Sequence, residues 1–155
     1  MNGKDVMRAV VKELFPPRRY AVCPNVSWAL LPWECDVLAV SPAGVVNEIE
    51  IKISVGDLRR DLKKRKWNTP GPWSHVDRFW VAGPKSMSTD MMNFSKAVGG
   101  GVGVISVGDD GVVEVLALAE RKRERKLEIK ASEIHRLASL RFWDKELLNG
   151  KAVVE

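Results

Sequence analysis

The chain has 155 residues, 45% of them hydrophobic and 29% charged. That excludes a disordered or fibrous chain and fits a single domain over residues 1–155. Lys and Arg outnumber Asp and Glu by 25 to 20, a net +5, which favours a polyanionic partner but falls short of a histone-like polycation. The two cysteines, Cys23 and Cys35, form no Cys-x-x-Cys and only two histidines accompany them. A structural zinc site is therefore not expected, and a reducing cytoplasm is. The longest uncharged stretch, residues 20–33, has fourteen residues and contains Pro24. It is too short for a membrane span, which needs about 18, and the charged N-terminus does not resemble a signal peptide.

In chain order, Val6, Met7, Val10, Val11 and Leu14 recur at helical spacing until Pro16-Pro17, which predicts an amphipathic first helix. A strand begins at residues 20–22 and gives way to an irregular loop. Residues 36–40 read as a strand, Ser41-Pro42-Ala43-Gly44 as a turn, and residues 45–53 as the returning strand. Residues 55 to about 66 read as a basic helix capped by Ser54, with Leu58 and Leu62 one turn apart. Residues 78–82 form a short buried strand, and Ser88 or Thr89 caps a helix running to Lys96. Residues 102–107 and 112–118 pair across Gly108-Asp109-Asp110-Gly111, a strong hairpin signal. Ser132 opens a last helix. The glycines at 99–103 precede a strand, whereas phosphate-binding glycine loops lead into a helix. The fold class is α/β, with a central mixed sheet flanked by helices.

The surplus charge is concentrated. Residues 52–66 hold seven basic and two acidic side chains, a surplus equal to that of the whole chain, and residues 121–130 hold six and two. Either run alone is compatible with a solvated surface.

The segment Asn47-Glu48-Ile49-Glu50-Ile51-Lys52-Ile53 carries the chemistry. Strand alternation sets Ile49, Ile51 and Ile53 on one face and Glu48, Glu50 and Lys52 on the other. The alternation alone describes a half-buried strand with a solvated face. The preceding turn, however, brings Asp36 near the level of Glu50 or Lys52. Two carboxylates from neighbouring strands can hold a hard cation such as Mg²⁺. A lysine lies about 6.6 Å further along the strand, and the basic helix follows at once, so the means of attracting a polyanion to an acidic cluster are present.

Asp36, thirteen intervening residues, then Glu50-Ile51-Lys52 resembles the PD-(D/E)xK nuclease superfamily, the restriction-endonuclease-like fold. Residues 46–54, Asp57, Asp61, Lys66-Trp67 and Asp77-Arg78-Phe79 are similar to the MmcB-type DNA-repair proteins, a branch of it. The similarity spans about residues 34–118. It implies an αβββαβ core with an added β-hairpin and terminal helix, and a divalent-metal-dependent DNA nuclease acting in repair or processing. It further implies Mg²⁺ or Mn²⁺ held by Asp36, Glu50 and the Ile51 carbonyl, with Lys52 orienting the attacking water. Glu34 and Glu48 share strand faces with Asp36 and Glu50, and Glu13 sits on the first helix; all three are candidate further ligands. Arg59, Arg60, Lys63, Lys64 and Lys66 would grip the DNA backbone without reading bases. Many nucleases of this fold act as homodimers. The rival reading is a non-catalytic DNA-binding or repair-scaffold module on the same fold. Trp67, Trp73 and His75 read as loop packing, and His135 as structural.

Overall fold

Asn2 opens the first helix, α1 (Gly3–Leu14), with a capping box: its side chain accepts the Asp5 N–H, and the Asp5 carboxylate accepts the Asn2 N–H. The computed structural model describes residues 1–26, 34–64 and 76–121. The remaining elements are β1 (Ala21–Val26), β2 (Cys35–Val40), β3 (Val46–Ile51), α2 (Val55–Asp61), β4 (Arg78–Pro84), α3 (Ser88–Ala97), β5 (Gly103–Val107) and β6 (Val113–Ala117). A 3-10 turn, Lys85–Met87, leads into α3.

The strands form one six-stranded sheet in chain order. β1, β2 and β3 are antiparallel neighbours, β3–β4 and β4–β5 are parallel, and β5–β6 is the antiparallel hairpin. The order αβββαβ, then helix and hairpin, is the one the sequence predicts, and the mixed α/β architecture is as expected. The predicted terminal helix, Lys66, Trp67, Trp73, His75, His135 and all of the second basic run beyond Arg121 lie outside the described residues.

Both parallel connections pass through a helix on one face of the sheet, and α1 covers the other, so the central strands are covered on two sides. On one face Val6, Val10 and Val11 of α1 pack against Val37, Ile49, Trp80 and Ile105. On the other, Leu58 of α2 and Met91 and Phe94 of α3 pack against Leu38, Val46, Phe79, Val81 and Val104. Residues 46–50 of β3 are buried throughout. A solvated acidic face, the ordinary outcome of the alternation, is not what this strand presents.

Most element ends shift by a residue or two, and three departures from expectation have a local cause. β1 runs on to Val26 through Pro24, because an edge strand tolerates proline; Asn25 adopts φ 49° there. α2 ends at Asp61, and Leu62, Lys63 and Lys64 continue in tight turns, each N–H bonding the carbonyl three residues back. α3 has no side-chain cap; the Ser88 hydroxyl donates instead to the Lys85 carbonyl of the preceding turn. Cys23 and Cys35 are buried thiols that form no disulfide, and burial pushes the Cys23 thiol up to about 11. Among the described residues no helix is long and apolar enough to cross a membrane.

Candidate active site

The site begins where two strands part. β2 and β3 pair from Val40↔Val46 to Val37↔Ile49. One more step would set Asp36 opposite Glu50. The ladder stops there, and the Asp36 carboxylate takes the next donor itself: the Ile51 N–H donates to Asp36 Oδ2 at 2.7 Å. A strand residue turns its N–H and C=O to the same edge, so the Ile51 carbonyl also faces the side from which β2 has withdrawn. Asp36 and the backbone of the Glu50-Ile51-Lys52 segment are thus brought together.

Glu50 and Lys52 point to the face covered by α2 and α3. Glu50 is 2% exposed and Lys52 8%. The Lys52 ammonium lies 3.0 Å from Glu50 Oε2 and 3.1 Å from Asp61 Oδ1. Lys64 makes the same two contacts, at 3.5 Å to Glu50 Oε2 and 2.7 Å to Asp61 Oδ1. Glu50, Lys52, Asp61 and Lys64 therefore form a closed ring of alternating charge. Burial by itself lowers the Lys52 pKa, but the charges of Glu50 and Asp61 and the hydrogen bonds to both outweigh it and hold it above the ordinary lysine value. Lys52 is an ammonium at neutral pH, able to donate and to neutralise but not to accept a proton.

Local sequence explains how Asp61 reaches this pocket. Ser54, immediately after β3, caps α2: its hydroxyl accepts the Asp57 N–H at 3.2 Å and donates to the Asp57 carboxylate at 3.0 Å. That bond, then Arg60, lowers the Asp57 pKa. α2 folds back over the end of β3, and Asp61 faces inward three residues after Leu58. Its second oxygen, Oδ2, is buried and has no hydrogen-bond partner among the described residues. Gly83 completes the wall. β4 passes so close that a Cβ at position 83 would stand 2.5 Å from the Lys52 carbonyl oxygen and 3.1 Å from Met91 Sδ, while the Lys52 N–H donates to Ala82 O at 2.8 Å.

The other candidate ligands lie elsewhere. Glu34 is exposed. Glu48 is fully buried one pair deeper in the sheet, flanked in register by Leu38 and Phe79. Glu13 is exposed at the far end of α1. It is the other end of α1 that lies by the site's strand: a Cβ at Gly3 would be 3.8 Å from the Ile51 and Ile53 side chains, and ten residues of helix amount to about 15 Å. Among the described residues no group of three His, Cys, Asp or Glu side chains is placed to hold one metal ion. An ion here would rest on Asp36, Glu50, the Ile51 carbonyl and water, as Mg²⁺ sites commonly do.

The basic helix is divided. Arg59 and Lys63 are exposed, Arg60 pairs with Asp57, and Lys64 turns into the charge ring. Sequence reasoning missed Asp61 and the inward turn of Lys64. The available signal was the spacing of Asp61 from Leu58, which puts an acidic side chain on the helix's buried stripe.

A scan against protein families found no match, and a search of curated proteins found none either. The fold is similar to the solved structure of a protein of unknown function from Silicibacter pomeroyi, with a TM-score of 0.61 and 19% identity over 100% of this chain and 98% of that one. The likeness is one of fold.

Proposed function

We propose that the chain is a divalent-metal-dependent nuclease that hydrolyses phosphodiester bonds in DNA, directed to DNA structure or ends in repair or processing. The observation that carries the reading is the parting of β2 and β3 at Asp36 and Glu50, with Lys52 held as an ammonium beside them. The donor set fits Mg²⁺ or Mn²⁺: hard oxygens from Asp36, Glu50 and the Ile51 carbonyl. The buried Asp61 Oδ2, without a hydrogen-bond partner among the described residues, adds a further acceptor to the same pocket, where positive charge is favoured.

When bound, the ion supplies Lewis acidity and a water of lowered pKa. Asp36 and Glu50 position it. Lys52, fixed by Glu50 and Asp61, orients the attacking water and offsets charge gathering on the phosphate. Arg59 and Lys63 offer the exposed charge for backbone contacts, which are insensitive to sequence and sensitive to salt. A DNA substrate and two cysteines that form no disulfide go with a cytoplasmic setting.

One observation favours a second reading. Two ammonium groups already contact Glu50 Oε2, as they would in a DNA-binding module on this fold that binds without turnover. A single experiment separates the two: incubation with single-stranded, duplex and forked DNA in Mg²⁺ or Mn²⁺, with and without chelator. Cleavage abolished by chelator, by Asp36→Ala and by Lys52→Ala is the expected result. Saturable binding with no metal-dependent cleavage selects the module, and no binding at physiological salt removes both readings.

A further inference from the structure

We infer that Lys64 is a resident counter-ion of the pocket, displaced when a divalent cation enters and thereby released to hold a DNA phosphate. The inference rests on the metal-site reading above and adds a coupling between metal and nucleic acid. The two lysines of the charge ring are not equivalent. The Lys52 side chain is 9% exposed and nearly equidistant from Glu50 and Asp61. The Lys64 side chain is 44% exposed, close to Asp61 but 3.5 Å from Glu50. It stands on the turn after α2 and not within a helix or strand. It is the member of the ring that can leave without unpacking the core.

The position of Lys64 supports the exchange. Its ammonium rests on Glu50 Oε2 and Asp61 Oδ1, carboxylate oxygens that an entering cation would draw on. A dication and an ammonium on the same oxygens repel each other, so exchange is favoured over addition. The departing ammonium swings to the surface where Arg59 and Lys63 are already exposed, and there it adds a phosphate contact. By linkage, DNA that holds Lys64 outside must tighten metal binding to the same degree that metal tightens DNA binding.

Two measurements on the full chain without DNA test this. The first is calorimetric titration with Mn²⁺ of wild type, Lys64→Met and Asp36→Asn, with circular dichroism confirming folding. The second is mapping of lysine acetylation by acetic anhydride with and without Mn²⁺. A half-exposed ion pair is worth up to ~1 kcal/mol, about fivefold in affinity, so Lys64→Met should bind Mn²⁺ about fivefold more tightly than wild type. Asp36→Asn should lose binding, and Mn²⁺ should raise acetylation of Lys64 while Lys52 stays protected. Equal or weaker Mn²⁺ binding by Lys64→Met, with Lys64 labelling unchanged, overturns the displacement and leaves the metal site standing. Absence of Mn²⁺ binding in wild type and in Lys64→Met overturns both.

Discussion

The two faces of β3 are both largely buried and are built by opposite means. On the α1 face Asn47, Ile49 and Ile51 meet an apolar layer, and the one buried polar side chain is fully engaged: Asn47 Oδ1 accepts from Trp80 Nε1 at 3.0 Å, and its amide nitrogen donates to Ala39 O at 3.3 Å. On the α2 and α3 face Glu48, Glu50 and Lys52 are buried together, and Lys52 and Glu50 are paired further by Asp61 and Lys64 from the next element. A neutral network of fixed hydrogen bonds stabilises without strain. A buried ionic network gives little net stability against an apolar alternative, yet collapses when one member is removed. A strand that needs only to hold the sheet together has no use for the second arrangement, which is why the charged face is the one to assign chemistry.

The largest effect should come from Lys52→Met, which leaves the buried Glu50 and Asp61 with only the more exposed Lys64 between them. A loss of about 3–5 kcal/mol is expected in urea denaturation, together with loss of any metal-dependent cleavage. On the opposite face Ile49→Ala opens a cavity in the apolar layer and should lose about 2–5 kcal/mol; metal affinity per folded molecule should be unchanged, in contrast to Lys52→Met. Trp80→Phe deprives Asn47 Oδ1 of its donor and should lose about 1–3 kcal/mol, again without an effect on metal. The smallest signature is a dependence on pH. Because the Lys52 pKa is raised in the folded state, its stabilisation is complete below the ordinary lysine value, about 10.4, and is lost as pH rises through the higher folded value. Denaturation series above pH 10 should therefore slope downward more steeply for wild type than for Lys52→Met. Parallel slopes would mean that the ring contributes nothing through Lys52.

Much of this was legible because local pattern and tertiary context agreed. The first helix, the turn at Ser41-Pro42-Ala43-Gly44, the acidic strand and the hairpin each carry period or turn chemistry that packing does not override. What escaped depended on neighbours the pattern does not encode. Burial of the Glu48/Glu50 face follows from the helical crossovers, not from anything in β3. Ser88 looked like a cap until a 3-10 turn supplied it with a carbonyl. Asp61 looked like a minor acid in a basic run, although its spacing from Leu58 turns it inward. Glu13 is a candidate through the resemblance alone, and the sequence does not say which end of α1 meets the site's strand; the approach of Gly3 to Ile51 and Ile53 shows that it is the opposite end.

The two thiols carry a practical consequence. Cys23 and Cys35 are enclosed in the sheet's interior, and the Cys23 sulfhydryl stays protonated far above neutral pH, so neither competes for an alkylating reagent in the native protein. A cysteine introduced at the exposed position 63 would be the reactive handle of choice. Probes or crosslinkers could then report on the outer rim of the pocket without first stripping the native sulfur.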